Sequence, residues 1–324
     1  MTTPAPAAAA APIYKWANPA DGEFKRQVSS FREWIGSDRF PAAKGRYHLY
    51  VSLACPWAHR TLIVRVLKGL EDVIGFTSVD YLMGKDGWHF SSPDDTPGCA
   101  LDPFNGAKYV RELYLTADPT YSGRFTVPIL WDTTTRTIVN NESSEIIRML
   151  NSAFNEFATR PTLDLAPAAL LPAIDDVNEW IYHDINNGVY KCGFATKQDA
   201  YEKHVVVLFT ALDRVEKHLD GKRWLVHDQL TEADVRLFTT IVRFDPVYHG
   251  HFKCNLKSIS ANYPNLLQHA RRIFQLPGIA DTVDMTHIKR HYYMSHIHIN
   301  PTAVVPLWNG PDLAHPKVEA PHAQ

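Results

Sequence analysis

Leu49-Tyr50-Val51-Ser52-Leu53-Ala54-Cys55-Pro56-Trp57-Ala58-His59-Arg60 is the stretch whose reading decides the fold. An apolar, β-prone run ends at a cysteine. A proline follows at once, and a helix-like segment, Thr61-Leu62-Ile63-Val64-Arg65-Val66-Leu67, carries on from it. Proline is favoured at the first helical position, so Cys55 is expected at or beside an N-cap. There its sulfur faces unpaired N–H groups and the positive end of the helix dipole, and both favour a depressed thiol pKa and a reactive thiolate. A buried structural cysteine is the commoner fate of a lone Cys, but strand–Cys–Pro–helix is where thiol enzymes expose their sulfur. A Cys-x-x-Cys site would have its second sulfur at position 58, which is Ala58. Cys55 therefore lacks a local resolving thiol, and a disulfide partner has to come from outside. The abundant cytosolic small thiol is glutathione.

Outward from this stretch the pattern is βαβ. A strand over 46–52 leads through a helix over 56–69 to a second strand, 73–79, which implies parallel pairing and a right-handed crossover. Residues 80–122 form a long insertion rich in Gly, Pro and Asp, with a short helix at 110–117. Loops of this length usually carry function. Its Lys85-Asp86-Gly87-Trp88-His89-Phe90 segment sets aromatics among turn residues, as a lid over the core or a ligand contact would. Gly123-Arg124-Phe125-Thr126-Val127-Pro128-Ile129-Leu130-Trp131-Asp132 reads as a strand with Pro128 at its start, a position where a cis bond is found. Thr137–Asn140 pairs back as a hairpin. A helix then opens at Asn141-Glu142-Ser143-Ser144, with Asn and Ser as caps and free N–H groups that suit an anion. This order, with a Cys-Pro helix start and a later Val-Pro strand start, is thioredoxin-like.

Beyond a Pro-containing linker the periodicity is helical almost to residue 290. Segments near 170–188, 199–219, 231–244, 262–275 and 277–290 are broken at Gly193, Gly221, Pro246 and Pro277. Thr231-Glu232-Ala233-Asp234 has a capping-box pattern. The expected class is α/β plus all-α. Residues 1–45 are tail and extension, 46–155 the thioredoxin-like domain with its insertion at 80–122, 165–305 the all-helical domain, and 306–324 a C-terminal tail. Residues 13–45 carry aromatics and charges and are expected to pack over the next domain. Met1–Pro12 and Asn309–Gln324 read as disordered tails, and the first of these lacks the basic residues of a secretory or mitochondrial leader.

Length suggests two domains or one large one, and composition is that of an ordinary soluble globule. The 324 residues are 45% hydrophobic and 21% charged. A net charge of -2 supplies no basic field for nucleic acid or an anionic membrane, and no run approaches a membrane span. Four sparse cysteines without zinc-type spacing point to a reducing compartment, so a cytoplasmic location is expected. His287, His291, His296 and His298 cluster, but no zincin-type Glu or suitably spaced Cys accompanies them. No metal is expected, and a surface or interface role is assigned to them. Cys192 and Cys254 read as pocket lining or plain core.

Several longer motifs carry a resemblance. Cys55-Pro56-Trp57-Ala58, the Trp88 insertion, Gly123–Pro128, Asn141-Glu142-Ser143, Gly188–Ala195, Arg243-Phe244-Asp245-Pro246-Val247-Tyr248, His251–Asn255, His291-Tyr292-Tyr293 and Ile299-Asn300-Pro301 resemble the glutathionyl-hydroquinone reductases, the Xi class of glutathione transferases. The match runs from about residue 13 to 305. The resemblance implies glutathione as co-substrate, with its sulfur near Cys55. It implies that Trp88, Arg124, Phe125, Thr126, Val127, Glu142 and Ser143 bind glutathione. Val127 would pair with the peptide backbone, and Glu142 with Ser143 would hold the γ-glutamyl end. Tyr190, Tyr248 and Tyr292 would line an acceptor pocket above Cys55, Tyr190 as proton donor and the other two tuning the thiolate. Tyr293 is the alternative to Tyr292. A homodimer formed through the helical domain is implied as well. An omega-like thioltransferase or dehydroascorbate reductase needs only Cys55 and the glutathione site. A non-catalytic glutathione-fold binding protein would not need the cysteine.

Overall fold

A computed structural model of the chain describes residues 16–318. Met1–Pro12 lies outside them. The sheet grows from β1 (Tyr47–Val51), whose five residues are all buried, as a strand covered on both faces requires. β1 pairs in parallel with β2 (Gly75–Ser78), setting Leu49 opposite Phe76, and antiparallel with β3 (Ile129–Asp132), setting Leu49 opposite Leu130. β3 turns back into β4 (Thr137–Asn140), giving the order β2-β1-β3-β4. Helices α1 (Pro56–Lys68) and α3 (Ser143–Ser152) pack against each other, and α2 (Val110–Ala117) lies beside β4. The Val127–Pro128 bond is cis. Strand β3 begins only after that proline, so it is shorter than the run of apolar residues suggests.

Two segments of irregular appearance are tied down. In the insertion, Asp102 accepts the Tyr50 hydroxyl at 2.5 Å and the backbone N–H groups of Asn105 and Ala107 at 3.0 Å each, which fixes the loop over the sheet. The N-terminal extension runs along the β4 edge. Glu33 N–H donates to the Val139 carbonyl and Asn141 N–H to that of Phe31, while Phe24, Ile35 and Phe40 are buried.

The helical half begins with α4 (Leu171–Trp180), which widens into a π-turn at Ile181–Asn186 and leads into α5 (Gly188–Gly193). α6 (Gln198–His218) and α7 (Glu232–Arg243) form its centre. The Thr231–Asp234 capping box starts α7, with Thr231 N–H donating to the Asp234 carboxylate at 2.8 Å. Arg148 joins the halves through Glu232 at 2.9 Å.

Four expectations need correction. Pro246 does not break the chain, because a second π-turn, Phe244–Tyr248, absorbs the missing N–H and continues through the short α8 (His249–His251). Helix α3 is capped by Glu142, whose carboxylate accepts the Ser144 N–H at 3.1 Å, and not by Asn141 or a serine. After α9 (Ile259–Asn262) and α10 (Pro264–Phe274), the last helix is α11 (Met285–Ser295), not 277–290. Asp284 caps it by accepting the His287 N–H at 2.8 Å, and a 3-10 turn at Ala280–Thr282 comes before. The described part of the C-terminal segment is held down. Buried Lys289 donates to the carbonyls of Pro306, Leu307 and Trp308, and Gln275 to those of Leu313 and Pro316. Proline and glycine there exclude helix and strand without excluding order, since two side chains satisfy the backbone.

Candidate active site

The Cys55 turn lies where strand β1 meets α1. Cys55 is the N-cap and Pro56 the first helical residue. The half-buried sulfur opens into a cleft of about 540 Å³ between the two halves, and its S–H donates to the Val127 carbonyl at 3.6 Å. Burial pushes the thiol up, against the pull of the Ala58 and Trp57 N–H groups and of the Arg243 and Arg26 charges. The depressed thiol expected from the helix start is thus overturned for the free enzyme. The amides and cations are present, but loss of water outweighs them.

A chain of hydroxyls faces this sulfur from the helical half. Tyr190 on α5 and Tyr292 on α11 both line the cleft, with their oxygens 2.7 Å apart. Tyr248, on the second π-turn, stands one ring further back. It is fully buried, is not among the residues lining the cleft, and meets the Tyr292 hydroxyl at 3.0 Å. Burial keeps all three phenols protonated, with Tyr248 and Tyr292 pushed well up. Tyr293 turns away, its hydroxyl toward the Pro246 carbonyl at 3.4 Å, so Tyr292 is the one of the pair at the cleft. Tyr190 follows closely on the first π-turn and Tyr248 ends the second, and Gly193 lets α5 close on Phe252, since a β-carbon there would lie 2.1 Å from that ring.

On the sheet side Trp88, Arg124, Thr126, Val127, Glu142 and Ser143 line the cleft. Phe125 does not. It packs against Tyr114 and Tyr121, with ring centroids 5.5 and 5.6 Å away. Burial alone would raise the Glu142 carboxyl, but the Ser144 N–H, the Ser144 and Ser29 hydroxyls and the Arg60 charge hold it below its ordinary value. Trp88 is buried and stacks on His291 at 4.6 Å.

Sequence reasoning gave no cleft role to His291, His296 or Arg26, and no place behind the Cys55 turn to Arg243. His291 and His296 line the cleft, and with His287 they are buried in the fold, contrary to the surface role expected; only His298 is exposed. Among the described residues no cluster of three or more His, Cys, Asp or Glu could hold a metal. Cys192 and Cys254 are buried outside the cleft lining. Arg26, from the N-terminal extension, lies over the Trp57 ring at 4.3 Å and donates to Asn187 at 2.6 Å. Its sequence signal is only an arginine among aromatics.

The fourth is Arg243, the last residue of α7, which is fully buried and has no carboxylate partner among the described residues. It donates to the carbonyls of Ala54 at 2.9 Å, Thr239 at 2.8 Å and Leu53 at 3.2 Å, and to His59 Nδ1 at 3.0 Å. The helical half thus holds the cysteine turn from behind. Arg243→Met is expected to leave these acceptors unpaired and to destabilise the protein by about 3 kcal/mol. With the cation gone the Cys55 thiol rises further, so alkylation by iodoacetamide at fixed pH should slow. An unchanged melting temperature and an unchanged alkylation profile would contradict both roles.

Fold and cleft define a glutathione transferase, and two family models match: the glutathione S-transferase N-terminal domain over 54–153 and C-terminal domain over 198–272. The chain is 51% identical to the glutathionyl-hydroquinone reductase PcpF of Sphingobium chlorophenolicum, covering 88% of this chain and 90% of that protein. It is similar to the crystal structure of the glutathione-S-transferase Xi from Phanerochaete chrysosporium, with TM-score 0.87, 56% identity and coverage of 90% and 94%. It is also similar to that of the Xi transferase ECM4 from Saccharomyces cerevisiae in complex with glutathione, with TM-score 0.85, 46% identity and coverage of 90% and 98%. The chain belongs to the Xi class of the glutathione transferase family, that of the glutathionyl-hydroquinone reductases.

Proposed function

We propose that the protein removes glutathione from glutathionyl-hydroquinones, using Cys55 as nucleophile and giving hydroquinone and oxidised glutathione. The observation that carries this reading is the pairing of a single cleft thiol with the Tyr190–Tyr292–Tyr248 hydroxyl chain across the cleft. A thiol that exchanges disulfides needs no such chain. A carbon leaving group needs a proton, and phenols held neutral by burial can supply it.

Glutathione fits the residues present. The Glu142 carboxylate at the start of α3 suits the ammonium group of the γ-glutamyl end, and the neighbouring N–H groups suit its carboxylate. Val127 offers its backbone to an added peptide strand. Arg124 and Trp88 are set to meet the remainder. A strand pairing at Val127 would claim the carbonyl that takes the Cys55 S–H, and so would remove a bond that favours the thiol over the thiolate.

The thiolate attacks the glutathione sulfur of the aryl thioether. The C–S bond breaks, the ring carbon takes a proton from the tyrosine chain, and hydroquinone leaves. Cys55 remains as a mixed disulfide, which a second glutathione resolves. Ala58 suits this course, because a second cysteine there would capture the intermediate.

Incubation with glutathionyl-menadiol and glutathione tests the reading. Hydroquinone release at a rate that saturates with both substrates is expected. Efficient reduction of a simple glutathione mixed disulfide without hydroquinone release would favour the omega-like thioltransferase instead. Glu142→Gln is expected to raise the KM for glutathione about tenfold, with a smaller change in kcat. The carboxyl is held below its ordinary value, so it stays ionised on descent from neutral pH and protonates only below the usual carboxylate range. The KM should accordingly be flat from pH 8 to 5 as far as this group is concerned. A KM that climbs steeply between pH 6 and 5 in the wild type but not in the variant would overturn that assignment.

A further inference from the structure

His291 shares the cleft yet has no part in the reaction as derived above. Its neighbour at Nδ1 is the Tyr81 carbonyl, 2.8 Å away, so Nδ1 carries the hydrogen and Nε2 is left as a lone-pair acceptor. Among the described residues Nε2 has no hydrogen-bond partner and is not sealed in the protein interior, and His291 lines the cleft. The ring is held in place by Trp88, stacked at 4.6 Å and 28°, and by the edge of Tyr292 at 5.3 Å. Burial pushes the imidazole down to about 4, against the Tyr81 hydrogen bond and with the aid of Arg243 and His287. His296 differs. Its Nδ1 meets His251 Nε2 at 3.2 Å, an arrangement that either tautomer satisfies. Of the two cleft imidazoles, His291 alone has its tautomer fixed as an acceptor beside the tyrosine chain.

We propose that His291 Nε2 accepts a hydrogen bond from the substrate's ring hydroxyl adjacent to the thioether, and thereby selects hydroquinone thioethers over other glutathione adducts. The inference rests on the reductase reading above. Held by that bond, the ring sets the carbon bearing sulfur toward the Tyr190 hydroxyl. The Cys55 thiolate then forms an S–S bond with the glutathione sulfur. The C–S bond breaks, and its electron pair goes to the ring carbon, which takes the proton of the Tyr190 hydroxyl. The ring fragment is reduced by two electrons, and the two sulfurs are oxidised to the mixed disulfide. The tyrosinate is reprotonated by the thiol of the second glutathione, whose sulfur then attacks that disulfide.

The test compares wild type and His291→Phe on three substrates: a glutathionyl-hydroquinone, the same compound methylated on the adjacent hydroxyl, and a simple glutathione mixed disulfide. Phenylalanine keeps the stack on Trp88. The variant is expected to lose at least about tenfold in turnover of the free hydroquinone, the worth of one such hydrogen bond. It should stay within about twofold of wild type on the mixed disulfide, which has no ring hydroxyl to hold. The methyl ether should be poor for both enzymes, and the variant no poorer than wild type. Equal losses of the variant on hydroquinone and mixed disulfide would mark a structural role and overturn the proposal. So would a wild-type enzyme that handles the ether as well as the free hydroquinone. If His291→Phe fails to fold, His291→Asn keeps a donor for the Tyr81 carbonyl and should show the same selective loss. A wild type that reduces the mixed disulfide and releases no hydroquinone would sink the reductase reading itself, a failure distinct from that of the histidine.

Discussion

Cys55→Ala is expected to abolish hydroquinone release, a loss of about four orders of magnitude or more, because no other group on the cleft wall can form the covalent intermediate. The remaining cysteines, Cys99, Cys192 and Cys254, are all buried, and burial raises Cys99 to about 12 and Cys254 well above its ordinary value. They offer no substitute. Cys55→Ser should be nearly as inactive, since an unactivated hydroxyl is a weak nucleophile. Two readouts separate chemistry from folding. Mass spectrometry after one substrate equivalent should find a glutathione adduct on the wild type and none on either variant. Binding of glutathione should survive, because its expected contacts lie on Val127, Glu142 and the α3 start. A Cys55→Ala enzyme that keeps a tenth of its activity would overturn the mechanism.

The position of Cys55 was legible because strand, N-cap cysteine and first-turn proline are local features, each set by backbone preferences over a few residues. The βαβ unit, the hairpin and the capping box at Thr231–Asp234 were legible for the same reason. The thiol's electrostatics were not. Its pKa direction depends on how much water the whole cleft excludes, which no local pattern records, and the amides and cations that oppose burial come from three separate places in the chain. The roles of Arg26, Arg243 and His291 were not legible because each acts through a tertiary contact: over Trp57, beneath the Cys55 turn, and against Trp88 and Tyr81. The C-terminal segment shows the converse error. The Pro/Gly-rich composition of Asn309–Gln324 suggests disorder, although Gln275 satisfies the Leu313 and Pro316 carbonyls from a helix about forty residues away.

Tyr190→Phe is expected to lower turnover of glutathionyl-hydroquinones about 100-fold and to leave mixed-disulfide reduction nearly unchanged. The ring itself is fixed by packing. It stacks near Phe24 and Phe194, with centroids 5.9 and 6.0 Å away, and meets Trp57 at 6.3 Å and Phe252 at 5.6 Å. Removing one oxygen leaves those contacts in place. Tyr292 keeps its bond to Tyr248, so the rest of the hydroxyl chain survives. What is lost is the cleft-side proton donor. Cleavage of an S–S bond expels a thiolate and does not need one, whereas cleavage of the aryl C–S bond must protonate carbon. Burial, with the Cys55 charge adding to it, raises the Tyr190 phenol above its ordinary value. A raised acid stays protonated as pH climbs past that value, so the tyrosine contribution should persist through pH 9 and should not define the upper limb of the wild-type profile. If Tyr190→Phe slows both substrates equally, the hydroxyl acts on the thiol or on glutathione binding and not on the ring carbon. If it slows neither, proton delivery must pass to Tyr292, the other hydroxyl at the cleft wall.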